Sequence, residues 1–240
     1  MSDKPTIVFA HGLWADGSCY GKVINLLVAD GYQVISTQNQ LNTVEDDAAA
    51  ARTSFGRASG PVVLVGHSYG GTVITAAGTD DRVAALVYIC ALAPEDGDPS
   101  LLDQTKFPQT EVFGHIEPAD GRLFLGRSGT GAFCGDLPEA EQALVWGTQV
   151  APLADLFDQP VHGAAWKLKP SWYIIGSQDR TVHPDLQHFL AQRMGAKVTE
   201  LASSHVPMLS QPQRVYEVIR DAADAVQQHA QEIRQPMPVA

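Results

Sequence analysis

Cysteine is scarce in this sequence. Its 240 residues include three, Cys19, Cys90 and Cys134. An odd, scattered set with no close pair makes neither a disulfide framework nor a zinc site, and reads as three reduced structural thiols. Positive charge is also short. Sixteen Lys and Arg stand against 27 Asp and Glu, a net of −11. Nucleic acid and anionic membrane would both be repelled, so neither is expected as a partner. Long hydrophobic runs are missing. The apolar part of "MSDKPTIVFAHG" is too short for a signal peptide, and no other run could span a bilayer. The expected location is therefore cytoplasmic. There is no internal repeat, metal signature, phosphate loop or dinucleotide fingerprint, so no metal and no cofactor is expected. The terminal stretch "EIRQPMPVA" reads as loose.

What the chain does have is apolar residue, 45% of the total, enough to bury one sizeable core. Short β-branched runs alternate with longer amphipathic stretches. "TIVFA" (6–10), "YQVIST" (32–37), "PVVLVG" (61–66), "VAALVYICA" (83–91), "SWYIIG" (171–176) and "KVTEL" (197–201) read as six strands. Helices are expected at 20–30, closed by Gly31, from a Thr43/Asp46 capping box, from "GGTVITAAG", from Pro184, and from Pro212 onward. Buried strands separated by helices imply an α/β fold, a mostly parallel six-stranded sheet with helices on both faces. Such sheets bind ligands beyond the carboxyl ends of their strands, so chemistry is sought after residues 10, 66, 91, 176 and 201. One gap breaks the rhythm. The segment between the fourth and fifth strands is far longer than a crossover needs. It begins loop-like, and residues 138–161 read as two short helices around Pro152. The expected organisation is a core of residues 1–94 and 166–240, with residues 95–165 inserted as a helical lid after the fourth strand.

The stretch "LVGHSYGGTV" (64–73) ends a strand, holds one serine among three glycines and opens a helix. Gly66-His67-Ser68-Tyr69-Gly70 matches G-x-S-x-G in the strand–turn–helix context that this motif requires. The sharp turn strains the serine backbone and brings Gly66 and Gly70 close, while Gly71 lets the helix approach its neighbour. Ser68 is then exposed above a helix N-terminus, a setting suited to a nucleophile. A serine hydroxyl needs a base, and the base needs a carboxylate to orient it. Asp179 follows the fifth strand and His205 the sixth, in the order serine, acid, histidine. Glu95, Asp96 and Asp98, after the fourth strand, are alternative positions for the acid. His183, His188 and His229 read as solvated. His115 and His162 fall in the lid, and His67 is expected to point away into packing. Donors for a developing oxyanion are expected from the backbone N–H of Tyr69 and of Leu13, with His11 supporting the Leu13 loop. Gly12, Trp14, Trp146 and Val206 are candidate substrate contacts.

With these residues in place the chain resembles the α/β-hydrolase superfamily. "FAHGLWADGSCYGKVINLL", "VLVGHSYGGTVI", "LVYICALAPEDGD", "GSQDRTVHP" and "SSHVPMLSQPQRV" carry the likeness. They are most similar to small bacterial hydrolases related to plant methyl-ester esterases and hydroxynitrile lyases. The resemblance implies the α/β-hydrolase fold, with Ser68, Asp179 and His205 as a triad and the N–H groups of Leu13 and Tyr69 as the oxyanion hole. It also implies a sheet of order 2-1-3-4-5-6 that lacks the family's usual first antiparallel pair. Two departures bear on function. The lyases carry lysine directly after the histidine, where this chain has Val206, and threonine in the first-strand loop, where it has Gly12. A serine rather than an aspartate nucleophile argues against dehalogenases and epoxide hydrolases.

The expected function is therefore a serine carboxylesterase acting through an acyl-enzyme on a small to medium ester. The alternative is a ligand receptor of the same fold with little or no turnover. Lactonase, amidase, perhydrolase and lyase-like reactions could use the same site. The lid offers Phe107, Phe113, Phe124, Phe133, Leu144, Trp146, Leu153 and Phe157 as an apolar lining. Its basic residues between 100 and 165 are Lys106, Arg122 and Arg127, which favours an apolar or aromatic small-molecule ester over a strongly anionic one.

Overall fold

The computed structural model describes residues 4–234. The first strand, β1 (Thr6–Ala10), is buried at every position. A 3₁₀ turn leads into α1 (Gly21–Ala29), and β2 (Val34–Ser36) returns beside β1. Helix α2 (Val44–Phe55) opens at Thr43, whose hydroxyl accepts the Asp46 N–H at 3.0 Å, the cap expected from the sequence. Strand β3 (Val62–His67), helix α3 (Gly70–Ala77) and strand β4 (Val83–Ile89) follow. The two remaining strands of the sheet come after the insertion, which holds a hairpin, β5 (Ile116–Ala119) and β6 (Arg122–Leu125), and two short helices, α4 (Thr130–Cys134) and α5 (Glu139–Gly147). Strand β7 (Ser171–Gly176), helix α6 (Pro184–Met194), strand β8 (Lys197–Leu201), the single turn α7 (Pro207–Ser210) and the long α8 (Pro212–Arg234) complete the chain.

The main sheet has the order β2-β1-β3-β4-β7-β8 with every pair parallel, as the alternation of strands and helices implies. Helices on both faces leave β1, β3 and β7 without an exposed residue. Ile7, Val8, Phe9 and Val63 to Val65 have no exposed surface. Each side chain of this kind contributes about 1.5–3 kcal/mol of burial. The register sets Ala10 beside Gly66, His67 beside Ile89, and Gly176 beside Leu201. The loops after β1, β3, β4, β7 and β8 therefore leave from one edge of the sheet.

The insertion departs from a purely helical lid. Pro118 pairs with Leu123 and Ala119 with Arg122 in a hairpin closed by Asp120 and Gly121, at φ +48° and +75°. An Asp-Gly pair between apolar residues is a strong hairpin signal, and it stands in plain view in "IEPADGRLF". The second helix expected around Pro152 is one 3₁₀ turn, Leu156–Asp158. Its backbone is drawn off by neighbours: the Leu123 N–H donates to Pro152, and the Leu153 N–H donates to Leu41. In the tail, residues 232–234 end α8, and 235–240 lie outside the described residues. No described helix is long and apolar enough to cross a membrane.

Candidate active site

Ser68 sits in the turn between β3 and α3 with φ +55°, a left-handed conformation that costs a non-glycine residue about 1 kcal/mol or more. The turn is held closed. The Ser68 N–H donates to the Ile89 carbonyl at 3.0 Å, and its own carbonyl accepts from Gly71 and Leu92 at 2.9 and 3.1 Å. A Cβ on Gly66 would strike the Gly70 carbonyl, and a Cβ on Gly70 would strike the Ala10 carbonyl at the end of β1, so each glycine is needed for a different neighbour. Gly71 lets α3 lie close to its neighbour, which is the loop after β4: a Cβ there would meet Leu92 O and Ala91 Cβ. The Ser68 side chain lines a cavity and is 6% exposed.

Asp179 and His205 meet each other at the same edge of the sheet, and neither is hydrogen-bonded to the Ser68 hydroxyl. The His205 Nδ1–H donates to Asp179 Oδ2 at 2.7 Å, with both side chains fully buried. His205 Nε2 is buried without a partner. The Asp179 carboxylate is saturated. Its Oδ1 accepts the Thr181 and Val182 N–H groups at 2.7 and 3.1 Å, and its Oδ2 also accepts Gln187 Nε2 at 2.8 Å. A carboxylate with four donors is fixed in direction. Gln187 projects from α6, is fully buried, and accepts the Gly176 N–H through its other amide atom at 3.1 Å. It thereby ties the end of β7 to the carboxylate. Glu95, by contrast, pairs with Lys167, so the alternative acid positions include one already spent on a surface ion pair.

His67 does more than pack. Its Nε2–H donates to the His205 carbonyl at 2.8 Å, and the two rings lie 4.6 Å apart. Burial, with the neighbouring His205 second, drives the His67 imidazole well below the usual range, so it is neutral. His11 supports its loop as expected. Its Nε2 accepts the Asn39 N–H at 2.9 Å, which leaves the proton on Nδ1 to donate to Gly12 O at 2.9 Å. Burial lowers its pKa too.

The N–H groups of Leu13 and Tyr69 have no hydrogen-bond acceptor among the described residues, although Leu13 is 7% exposed and Tyr69 fully buried. Buried unpaired N–H groups are rare and call for a ligand. Gly12 brings their loops together. A Cβ on it would sit 2.7 Å from Ser68 Cβ. The Tyr69 hydroxyl is anchored on Asp47 Oδ2 at 3.0 Å, which fixes the Tyr69 backbone from α2.

Two cavities flank this group. The first is lined by Leu13, Ser68, Tyr69, Val112, Phe113 and Phe157, among others. The second is lined by Cys19, Phe133, Val145, Val206 and Met208, among others. Trp14 is a wall of both. Its φ is +53°, its N–H donates to Val150 O at 3.0 Å, and its indole N–H donates to Leu123 O at 2.8 Å. Of the other substrate candidates, Val206 lies in the second cavity and Gly12 lies behind Ser68. Trp146 lines neither: it is 38% exposed, with its indole N–H on Leu125 O at 3.0 Å.

Cys90 is the nearest further metal-type donor. Its sulfur, an Asp179 oxygen and a His205 nitrogen lie within 4.8 Å of one another. The carboxylate and Nδ1 are spent on each other, and burial pushes the Cys90 thiol well above its usual range, so it stays protonated.

A serine in a strained strand–turn–helix elbow, an Asp–His pair on later strand ends and two free N–H groups make a recognisable set. The sequence pattern of the alpha/beta hydrolase family matches residues 7–218. The chain belongs to that family. Among curated relatives, the pyrethroid hydrolase of Sphingobium wenxiniae is 29% identical over 260 residues, covering 94% of this chain and 90% of the relative. The crystal structure of a pyrethroid hydrolase from Sphingobium faniae superposes with a TM-score of 0.77 at 26% identity, covering 92% and 97% of the two chains. Polyneuridine aldehyde esterase, at 19% identity, shares the fold with a TM-score of 0.78 over 91% and 98%.

Within this hydrolase fold, some contacts escaped the sequence. Gln187 has no motif around it. Asp136, from the insertion, accepts the Ser204 N–H at 3.0 Å and also the Ser204 hydroxyl, clamping the loop that carries His205. Leu101, Gln104, Leu123, Pro152 and Thr181 join the first cavity from four separate segments. Of the eight apolar residues expected to line the lid, Phe113 and Phe157 face that cavity.

Proposed function

We propose that the protein is a serine carboxylesterase acting on small to medium apolar or aromatic esters. The observation that carries the reading is Ser68 in its strained elbow beside a saturated Asp179–His205 pair whose Nε2 is free. In this reading Ser68 Oγ attacks the ester carbonyl while His205 Nε2 takes its proton, and the N–H groups of Leu13 and Tyr69 receive the oxyanion. His205 then gives the proton to the departing alkoxide, and water activated by the same nitrogen releases the acid. Asp179 holds the tautomer with the proton on Nδ1 and stabilises the imidazolium. Residues 95–165 serve as a lid that shapes the pocket. The basic side chains of that segment support a neutral substrate, because each is engaged elsewhere: Lys106 on Asp103, Arg122 on Asn42 and the Ala151 carbonyl, and Arg127 over the Trp146 ring. Hydrolysis of esters by relatives named as hydrolases and esterases supports the same reaction.

The test is Ser68→Ala, checked for native circular dichroism and assayed on short p-nitrophenyl esters. Turnover should fall by at least about 1000-fold. Undiminished turnover would overturn the reading.

A further inference from the structure

His205 is held from three parts of the chain. Its Nδ1–H rests on Asp179, after β7, and its carbonyl accepts His67 Nε2–H, at the end of β3. The third hold falls on Ser204, the residue before it. The Ser204 N–H donates to Asp136 Oδ2 at 3.0 Å, and the Ser204 hydroxyl donates to Asp136 Oδ1. Ser204 is buried, whereas the exposed Asp136 reaches it from the insertion, just past α4.

Asp136 ends a short brace. Gly131 O accepts the Arg180 guanidinium, and Ala132 O accepts the Thr181 hydroxyl at 3.5 Å. The Phe133 ring stands edge-on to the His205 ring, with centroids 5.2 Å apart. Arg180 and Thr181 directly follow Asp179, and Ser204 directly precedes His205. Residues 131–136 therefore span the two loops that carry the acid and the base. Those loops also meet through a core bond, Gln178 N–H to Ser203 O at 3.1 Å, but it stops at Ser203. Between that bond and the imidazole, the acceptor of the Ser204 N–H is Asp136.

His205 Nε2 has no hydrogen-bond partner, so proton transfer needs a small movement that brings it onto Ser68 Oγ. Rates depend steeply on such geometry, and a misplacement of about 1 Å costs about 100-fold. We propose that Asp136 is a positioning residue for His205, a latch through which the insertion aims Nε2 at the serine. This rests on the esterase reading. The latch serves both proton transfers, from Ser68 in acylation and from water in deacylation. It is no wall of either cavity beside the serine. Its loss therefore lowers kcat and leaves KM in place.

The experiment compares Asp136→Ala, Asp136→Asn and Ser204→Ala, each checked for native circular dichroism, on p-nitrophenyl acetate. Alanine at 136 removes both bonds, so kcat should fall about tenfold with KM within about twofold of wild type. Asparagine keeps them, with Oδ1 accepting the Ser204 N–H and Nδ2–H donating to the Ser204 hydroxyl, so kcat should return to within about threefold of wild type. Ser204→Ala removes one bond and should lower kcat about threefold, which carries the test if Asp136→Ala does not fold. The Nδ1 proton of His205, read by NMR as the downfield signal lost in His205→Gln, should exchange with water about tenfold faster in Asp136→Ala and at the wild-type rate in Asp136→Asn. Unchanged kcat in both alanine variants overturns the latch, as does a loss that lies in KM. An asparagine variant as slow as the alanine variant overturns it too, because charge rather than position would then be at work. Fluorophosphonate labelling of Ser68 in the wild type separates the two failures. A labelled, ester-cleaving protein with any of these results loses only this inference. An unlabelled protein that cleaves no ester loses the esterase reading and the latch with it.

Discussion

At the carboxyl edge of the sheet, little can move. His67, Gln187 and His205 have no exposed surface, and Asp179 carries four hydrogen bonds. In the insertion above it, α5 has no buried residue and Leu144 is 65% exposed, and the segment is tied to the core by side-chain and loop bonds rather than by a strand ladder. One of them, the Arg180–Glu111 ion pair, is half-exposed and so contributes about 1 kcal/mol or less. The difference has a physical sense under the proposed esterase function, where proton transfer would depend on tenths of an ångström held by the sheet edge and substrate choice would rest with the loops and short elements of the insertion.

Three changes would break or sharpen that contrast. The largest effect is expected at Gln187→Leu. It orphans the buried Gly176 N–H and takes one donor from Asp179, so unfolding in urea should show a loss of about 3 kcal/mol. Turnover should fall with it, about tenfold at neutral pH, through a loosened carboxylate. Full stability would mean that the edge has slack after all.

A second effect is carried by pH. His67 and His11 are kept neutral by burial, so their folded pKa values lie below the ordinary 6.5. Above that value both states are neutral and neither residue contributes. As pH falls below it, the unfolded chain binds protons that the folded chain refuses, and stability is lost. The loss is up to about 1.4 kcal/mol per pH unit for each imidazole that stays neutral. Urea unfolding at a series of pH values below neutrality measures this slope, and His67→Gln should make it shallower. An equally steep slope in that variant would show that His67 titrates freely.

The smallest effect is expected in the insertion, at Trp146→Phe. This removes one N–H···O bond from a half-exposed side chain, so stability should change by about 1 kcal/mol or less and kcat/KM should hold. A tenfold drop in kcat/KM would put Trp146 at the substrate and return it to the role its position in the sequence proposes.

Much of the edge is legible in the sequence because its signals are local. A glycine-flanked serine after a β-branched run gives the elbow, and strand ends followed by Asp179 and His205 give the pair. The hairpin is legible too, in its Asp120-Gly121 turn, which a purely helical lid does not contain. That the second helix expected around Pro152 shrinks to one 3₁₀ turn is not legible. Its backbone bonds go to Leu41 and to the hairpin, residues far away in the chain.

The alternation of strands and helices, the serine elbow and the residue types of the Asp–His pair follow from the sequence by itself, since alternation, turn chemistry and chain order are short-range properties. The tertiary structure decided the rest. It put Gln187 on Asp179, His67 on the carbonyl of His205, Asp136 on Ser204 and Trp14 between two cavities. Each of these contacts joins residues from elements that only the folded sheet brings together, and no spacing along the chain encodes them.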